Sequence, residues 1–572
     1  MGNRLRWLSA AAMAACLAAA AGCTGGGDDS GGGGYPREET LYTTGTQWGP
    51  PVNWNPIMSG SYTTGVVGYI YEPLFLFDPQ QQEYIPWLAE SQEWVGETTY
   101  EVTVRQGVTW SDGEALTAED VAFTYELAKF ETVPYHNVWD YLESVEAVDE
   151  RTARFEFTED VRRQEFAYYT YSNPIVPEHL WADRSEEEVS TGANKDPVGT
   201  GPYLYEDHSE DRQIYAKNED WWAIEALDLQ VAPDYVVDIV NSSNDVTNRL
   251  LDQGQVDISN NFLPGVDQKI ENNPNISSYY DEPPYMLSAN TAWLVPNTTR
   301  EPLDDPEFRK ALAASVDVEK IIQGPYSNLV QAADPTGLLP VWEDYIDSEV
   351  VDEHGFSHDP GRAESLLADA GYEDTDGDGL VETPDGEPIE LTLEVPSGWT
   401  DWMEAARIIA DGAKAAGIDV SAEFPDQAAL EDGRNAGEFD LVLNNERQIS
   451  NTPWTYYDYM FQLPVQEQQT TVNFARYENE DAWELTQELA RTPVDDTQAM
   501  QEIISRLQEI HLQEMPIIPL WYNGLWSQYS TQTWTNFPTS AEDTPNHLPT
   551  TWRNYAQLGS VLMLTELEPA GG

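Results

Sequence analysis

The chain has 572 residues, of which 28 are Lys or Arg and 101 are Asp or Glu, for a formal charge of −73. A polyanion of that size is repelled by phosphate backbones and by anionic lipid, which excludes nucleic-acid binding and charge-driven attachment to a membrane surface. High charge also favours disorder, but 20 Trp, 30 Tyr and 15 Phe spread along the chain supply the core of a large folded protein, with roughly two to four domains at this length.

Only 7 of the basic residues are Lys, and the acidic residues are scattered instead of forming one tail. A carboxylate-rich, lysine-poor surface stays hydrated in high salt, where screening removes its self-repulsion. The pattern points to an extracytoplasmic protein of a salt-loving or salt-tolerant microbe; the alternative is a solvated acidic face with no environmental meaning.

At the amino terminus, Arg4 and Arg6 precede an apolar stretch from Trp7 to Gly22, too short to span a bilayer and of the length of a signal-peptide core. Residues 1–22 are therefore expected to be a leader. Ala20, Ala21 and Gly22 run into Cys23, which resembles a bacterial lipobox with Ala20 where Leu is usual. Cys23 is the expected lipidation site and membrane anchor, followed over 23–37 by a Gly-rich tether. The alternative is an ordinary secretory signal with an incidental Cys. Cys16 lies in the leader, so the mature chain has no second Cys with which to form an internal disulfide.

Tyr100, Val102 and Val104 alternate as a half-buried strand, Asp112-Gly113 marks a turn, and Thr117 stands as N-cap before a helix carrying Val121, Tyr125 and Ala128 on one face. By physics alone this is a piece of an α/β protein. The stretch Arg105–Tyr125 also resembles the signature of the family 5 extracellular solute-binding proteins, the receptors of ABC importers. Other matches follow in the expected order: Tyr71–Phe75, Gly199–Tyr203, Leu250–Asp257, Asp305–Leu312 and Ala370–Tyr372.

The resemblance covers about 40–530. It implies an α/β, two-lobed periplasmic-binding-protein type II-like fold with an extra subdomain inserted in the first lobe. Lobe one is expected over 38–285, with the insertion at about 65–195, lobe two over 286–522, and a return to lobe one over 523–572. The local chemistry agrees: Asp305 and Asp317 are N-caps, and Leu391–Val395, the amphipathic segment 402–416 and Ile418–Phe424 form a β-α-β unit with parallel strands. The implied function is capture of an oligosaccharide or oligopeptide between closing lobes, by a monomer that delivers it to an ABC permease with ATPase subunits.

Indole planes stack on sugar faces, and amides hydrogen-bond to hydroxyls. The cleft candidates are Trp48, Trp54, Trp399, Trp402, Trp454, Trp521 and Trp526, with Asn444, Asn445 and Asn523 beside them. For any one Trp, a place in the core is the bland alternative. Peptide-binding relatives set an Asp against the peptide amine soon after a Phe-Asp-Leu strand. Here Phe439-Asp440-Leu441 is followed by no Asp until Asp458, and the stretch is closer to the oligosaccharide receptors of the family.

Asp374, Asp376, Asp378, Leu380, Glu382 and Asp385 fall at positions 1, 3, 5, 7, 9 and 12 of a calcium loop, after an expected helix 361–370. The element after it reads as strand, and the alternative is a Gly-Asp hairpin turn without metal. No cofactor is required, and calcium bound there would be structural. The chain lacks HExxH, GxSxG and GxxxxGK[ST] motifs, so no catalytic site is expected; a secreted glycoside hydrolase is the alternative function.

Overall fold

A computed structural model of the chain describes residues 35–58, 63–541, 547–548 and 559–571; the leader, Cys23 and the tether to Gly34 lie outside them. The folded body starts at Arg37, whose guanidinium forks onto the buried Asp257 carboxylate at 2.6 and 2.9 Å. No helix among the described residues is long and apolar enough to cross a membrane.

Two sheets organise the body. In the first, Thr40–Thr44 runs parallel to Tyr235–Ile239 on one side and to Ile258–Ser259 on the other. Arg212–Lys217 and Tyr203–Ser209 extend it past Tyr235–Ile239, and Gln528–Ser530 and Ile276–Ser278 close the other edge, giving seven strands. In the second, Leu391–Glu394 is parallel to both Val420–Glu423 and Leu441–Asn444. Leu287–Pro296 then pairs antiparallel with Leu441–Asn444 and Ile518–Leu525. Ile518–Leu525 therefore points the same way as the parallel trio. Both Leu441–Asn444 and Ile518–Leu525 are buried along their whole length, as strands covered on both faces must be.

The chain passes between the sheets twice. Leu287 pairs with Leu525 at the end of the second sheet, and Ser527 N–H lies 3.3 Å from Met286 Sδ, so the two crossings run side by side.

The expected local elements appear for the expected reasons. Thr117 and Asp120 form a reciprocal capping box on Ala118–Glu126. Asp305 accepts from Glu307 N–H at 2.9 Å with Pro306 in the first turn, and Asp317 caps Val318–Gln323. Thr400–Ala415 joins the parallel strands Leu391–Glu394 and Val420–Glu423. Isolated bridges flank the acidic loop, at Glu373–Glu382 and Glu382–Pro388, and the next regular element beyond it is the strand Leu391–Glu394, as expected. Between loop and strand the chain reverses at Gly386, which has φ +83° and donates back to Thr383 at 2.7 Å.

Between the first two strands of the first sheet in sequence lies a four-stranded antiparallel sheet, in the order Ala89–Trp94, Thr99–Val104, Thr152–Phe157, Leu142–Ala147. Its core is continuous with that of the seven-stranded sheet. Glu72 ties the two together: it is fully buried and accepts from Trp87 Nε1 at 2.9 Å, Trp222 Nε1 at 2.8 Å and Thr200 Oγ1 at 2.7 Å. Burial, only partly offset by these donors, pushes its carboxyl up. Gly199 and Gly201 flank Thr200 because a Cβ at either would sit 1.9 Å from Ile70 O or 2.1 Å from Tyr69 O. Close backbone packing around one buried carboxylate thus accounts for two of the sequence motifs.

Candidate functional site

In open α/β sheets ligands bind beyond the carboxyl ends of the strands. Here those ends from both sheets converge on one cavity of about 550 Å³. From the first sheet come Gln47 and Trp48 after Thr40–Thr44, Asn244 after Tyr235–Ile239, and Asn260–Phe262 after Ile258–Ser259. The second supplies Trp399–Trp402 after Leu391–Glu394, Asn445 and Gln448 after Leu441–Asn444, and Asn523 and Trp526 at the end of Ile518–Leu525.

Six of the ten residues expected at the cleft line this cavity: Trp48, Trp399, Trp402, Asn445, Asn523 and Trp526. Trp48 and Trp399 reach it from opposite lobes, with ring centroids 5.3 Å apart. Trp402 meets Trp399 edge-on at 5.2 Å, and Trp526 stacks parallel to Tyr326 at 6.1 Å. The Trp399 indole N–H is buried without a partner among the described residues, a donor available to a ligand.

The other four do not line it. Trp54 is buried against Tyr205 and His208. Trp454 begins the buried helix Trp454–Phe461. Trp521 is fully buried inside a central strand, behind Trp402. Asn444 turns its carbonyl to Tyr459 OH at 2.7 Å and Glu446 N–H at 2.9 Å, which fixes the loop carrying Asn445. Asp458 is also outside the cavity, buried 3.9 Å from Arg447.

The structure adds residues that sequence reasoning missed. Across the cavity floor runs a directional relay: Ser259 Oγ donates to Asn261 Oδ1 (2.8 Å), Asn261 Nδ2 to Asn244 Oδ1 (2.9 Å), and Asn244 Nδ2 to Asp401 Oδ1 (2.9 Å). Tyr326 OH donates to the other Asp401 oxygen at 3.1 Å. Asn244 belongs to the first lobe and Asp401 to the second, so the relay joins them. Burial pushes the Asp401 carboxyl up to about 6 despite these donors. Among the described lining residues there is no Lys, Arg or His. The signal that marks these residues is their place just after a parallel strand, but Ile258–Ser259 is two residues long and leaves no periodic trace.

The acidic loop brings Asp374, Asp376, Asp378 and Glu382 together, with one carboxylate oxygen of each within 4.8 Å of the others, and the group could hold a divalent cation. Asp385 is not part of that group. Asp374 accepts from Gly377 and Gly379 N–H at 2.6 and 2.9 Å, and Glu382 from Thr375 N–H and Oγ1, both at 2.7 Å.

Residues 83–466 match the model of the bacterial extracellular solute-binding proteins, family 5. The chain belongs to that family. It is 24% identical to the oligopeptide-binding protein AppA of Bacillus subtilis over 83% of this chain and 84% of that one. A crystal structure of a mannohexaose-bound periplasmic oligopeptide-binding protein of an oligopeptide ABC transporter from Thermotoga maritima is 41% identical, with a TM-score of 0.90 over 94% of this chain and all of that one. The structure of Bacillus subtilis AppA with a nonapeptide, 20% identical, shares the fold at a TM-score of 0.76 over 91% of this chain and 98% of that one. The protein is thus a bilobed α/β solute-binding component of an ABC importer, extracytoplasmic and non-catalytic.

Proposed function

We propose that the ligand is a neutral oligosaccharide. The observation that carries this reading is the cavity wall: Trp48, Trp399, Trp402 and Trp526 alternate with amides, and no Lys, Arg or His lies among the described lining residues. Indole faces suit the C–H faces of sugar rings, and amides with Asp401 suit hydroxyls. The carboxyl terminus of a peptide, or a uronate, would be buried there without a countercharge, which is costly. The mannohexaose in the 41% identical relative supports the same reading. Calorimetric titration tests it: neutral manno-, cello- or xylo-oligosaccharides are expected to bind, with uronate chains and peptides at least tenfold weaker. Tight peptide binding with no sugar response would overturn it.

The finer architecture is read as type II-like, with lobe one over 38–285, an insertion at about 65–195, lobe two over 286–522 and a return over 523–572. The four-stranded sheet and the paired crossings support this division. The chain is further read as a monomeric lipoprotein held to the outer face of the cytoplasmic membrane through Cys23, next to its permease and ATPase subunits. Cys23→Ser is expected to release it into the medium with binding intact; a variant that stays on the membrane would contradict the anchor. The acidic loop is read as a structural calcium site, supported by the clustered carboxylates.

A further inference from the structure

The helix Arg163–Ser172, which follows the four-stranded sheet, has two faces. On one, Phe166 packs against Tyr100, Phe155 and Phe157 in the sheet's own core. Gln164, Tyr168 and Tyr171 stand at i, i+4 and i+7 and form the other stripe, which meets the second lobe. Gln164, fully buried, donates through Nε2 to Thr492 O at 2.9 Å and accepts from Thr452 Oγ1 at 2.7 Å. Tyr171 OH donates to Asn451 Oδ1 at 2.9 Å and lies 3.2 Å from Asn451 N–H. Tyr168 approaches Trp454 edge-on at 6.4 Å, and just ahead of the helix Asp160 pairs with Arg491.

The contact is of an unusual kind for so buried a surface. The four-stranded sheet shares its core with the first lobe, whereas Trp454 and its neighbours belong to a separate apolar cluster of the second. Tyr168 is the one apolar side chain of the helix packed against that second cluster among the described residues; the rest of the contact is side-chain hydrogen bonds and an ion pair. Interfaces of this polar type separate and re-form, unlike a shared hydrophobic core. None of these residues lines the ligand cavity. Among the described residues the chain crosses between the lobes at Met286 and Ser527, so a hinge there must break these contacts when the cleft opens.

We propose that Arg163–Ser172 is a latch remote from the ligand, in which Gln164 and Tyr171 are positioning residues that hold the closed lobes and set the ligand's residence time. The latch does not touch ligand. It acts on the closed fraction, which scales apparent affinity directly. Because ligand leaves only when the cleft opens, the latch slows release more than it alters association.

The test uses Gln164→Ala, Tyr171→Phe and the double variant in the full mature chain, with mannohexaose as probe. Tyr171→Phe keeps the ring that stacks on Phe77 and removes only the hydroxyl. The double variant is expected to release mannohexaose about ten- to a hundredfold faster, with the association rate changed less than about threefold. Phe166→Leu, on the opposite face, is the control: it should lower the melting temperature without speeding release. A double variant that melts earlier but releases at the parental rate would reduce these contacts to structural ones and overturn the latch. This inference needs closing lobes but not a sugar, so small-angle scattering of the ligand-free proteins provides a second arm. The double variant should show a larger radius of gyration than the parent. If no neutral oligosaccharide binds the parent, the sugar reading alone fails and scattering decides the latch; equal radii would then overturn it.

Discussion

Replacing Trp399 by Ala should weaken oligosaccharide binding by roughly 1–3 kcal/mol, about 5- to 150-fold, while leaving the melting temperature nearly unchanged. Trp399 is half-buried at the cavity, and its loss removes a stacking face and an N–H that has no partner among the described residues, without opening a cavity in the core. Trp521→Ala should do the opposite. That indole is fully buried in a central strand against Tyr326 and Trp402, and truncating it should cost about 3–5 kcal/mol of stability. Affinity and melting measured on both variants separate the roles. If Trp399→Ala lost stability and kept its affinity, the cavity would not be the binding site.

Stability should increase as the pH falls from about 7.5 to 5.5. Burial pushes the Asp238 carboxyl up to about 7 and the Asp401 carboxyl up to about 6. It also raises Asp458 and, with the Asp458 charge nearby, Glu165; Arg162 beside Glu165 and Arg447 beside Asp458 offset this only partly. A folded state with raised carboxyl pKa values binds those protons more tightly than the unfolded chain. Stability is therefore gained as the pH falls through the folded values and lost as it rises through them. Summed over these sites the gain is on the order of a few kcal/mol. Salt should act in the same direction, since a chain of charge −73 repels itself over a Debye length of about 30 Å at 0.01 M and about 3 Å at 1 M. Thermal melts across both variables check this. A melting temperature that falls on acidification to pH 5.5 would contradict the buried-carboxylate account, and one indifferent to NaCl would contradict the adaptation to salt.

Much of the fold was legible because its signals are local. Thr117, Asp305 and Asp317 are caps in the sequence and in the structure, and the strands around Thr400–Ala415 show their alternation plainly. The strand expected after the acidic loop is Leu391–Glu394, set off from the loop by a turn closed at Gly386. Among the indoles, composition could not separate Trp399 from Trp521. What places them is position along the chain: Trp48 and Trp399 follow the carboxyl ends of parallel strands, whereas Trp521 lies inside the antiparallel-paired strand Ile518–Leu525. The relay through Asn261, Asn244 and Asp401 was invisible because its members sit far apart in sequence and meet only when the two sheets face each other.

The most direct measurement of the central claim is a crystal structure of the mature chain grown with mannohexaose in the presence of an equal concentration of a nonapeptide. The account predicts sugar rings in the cavity, one face against Trp399, Trp402 or Trp526 and hydroxyls on Asp401, Asn445 or Asn523, and no peptide. A peptide backbone in that cavity, or sugar bound only elsewhere on the surface, would contradict it.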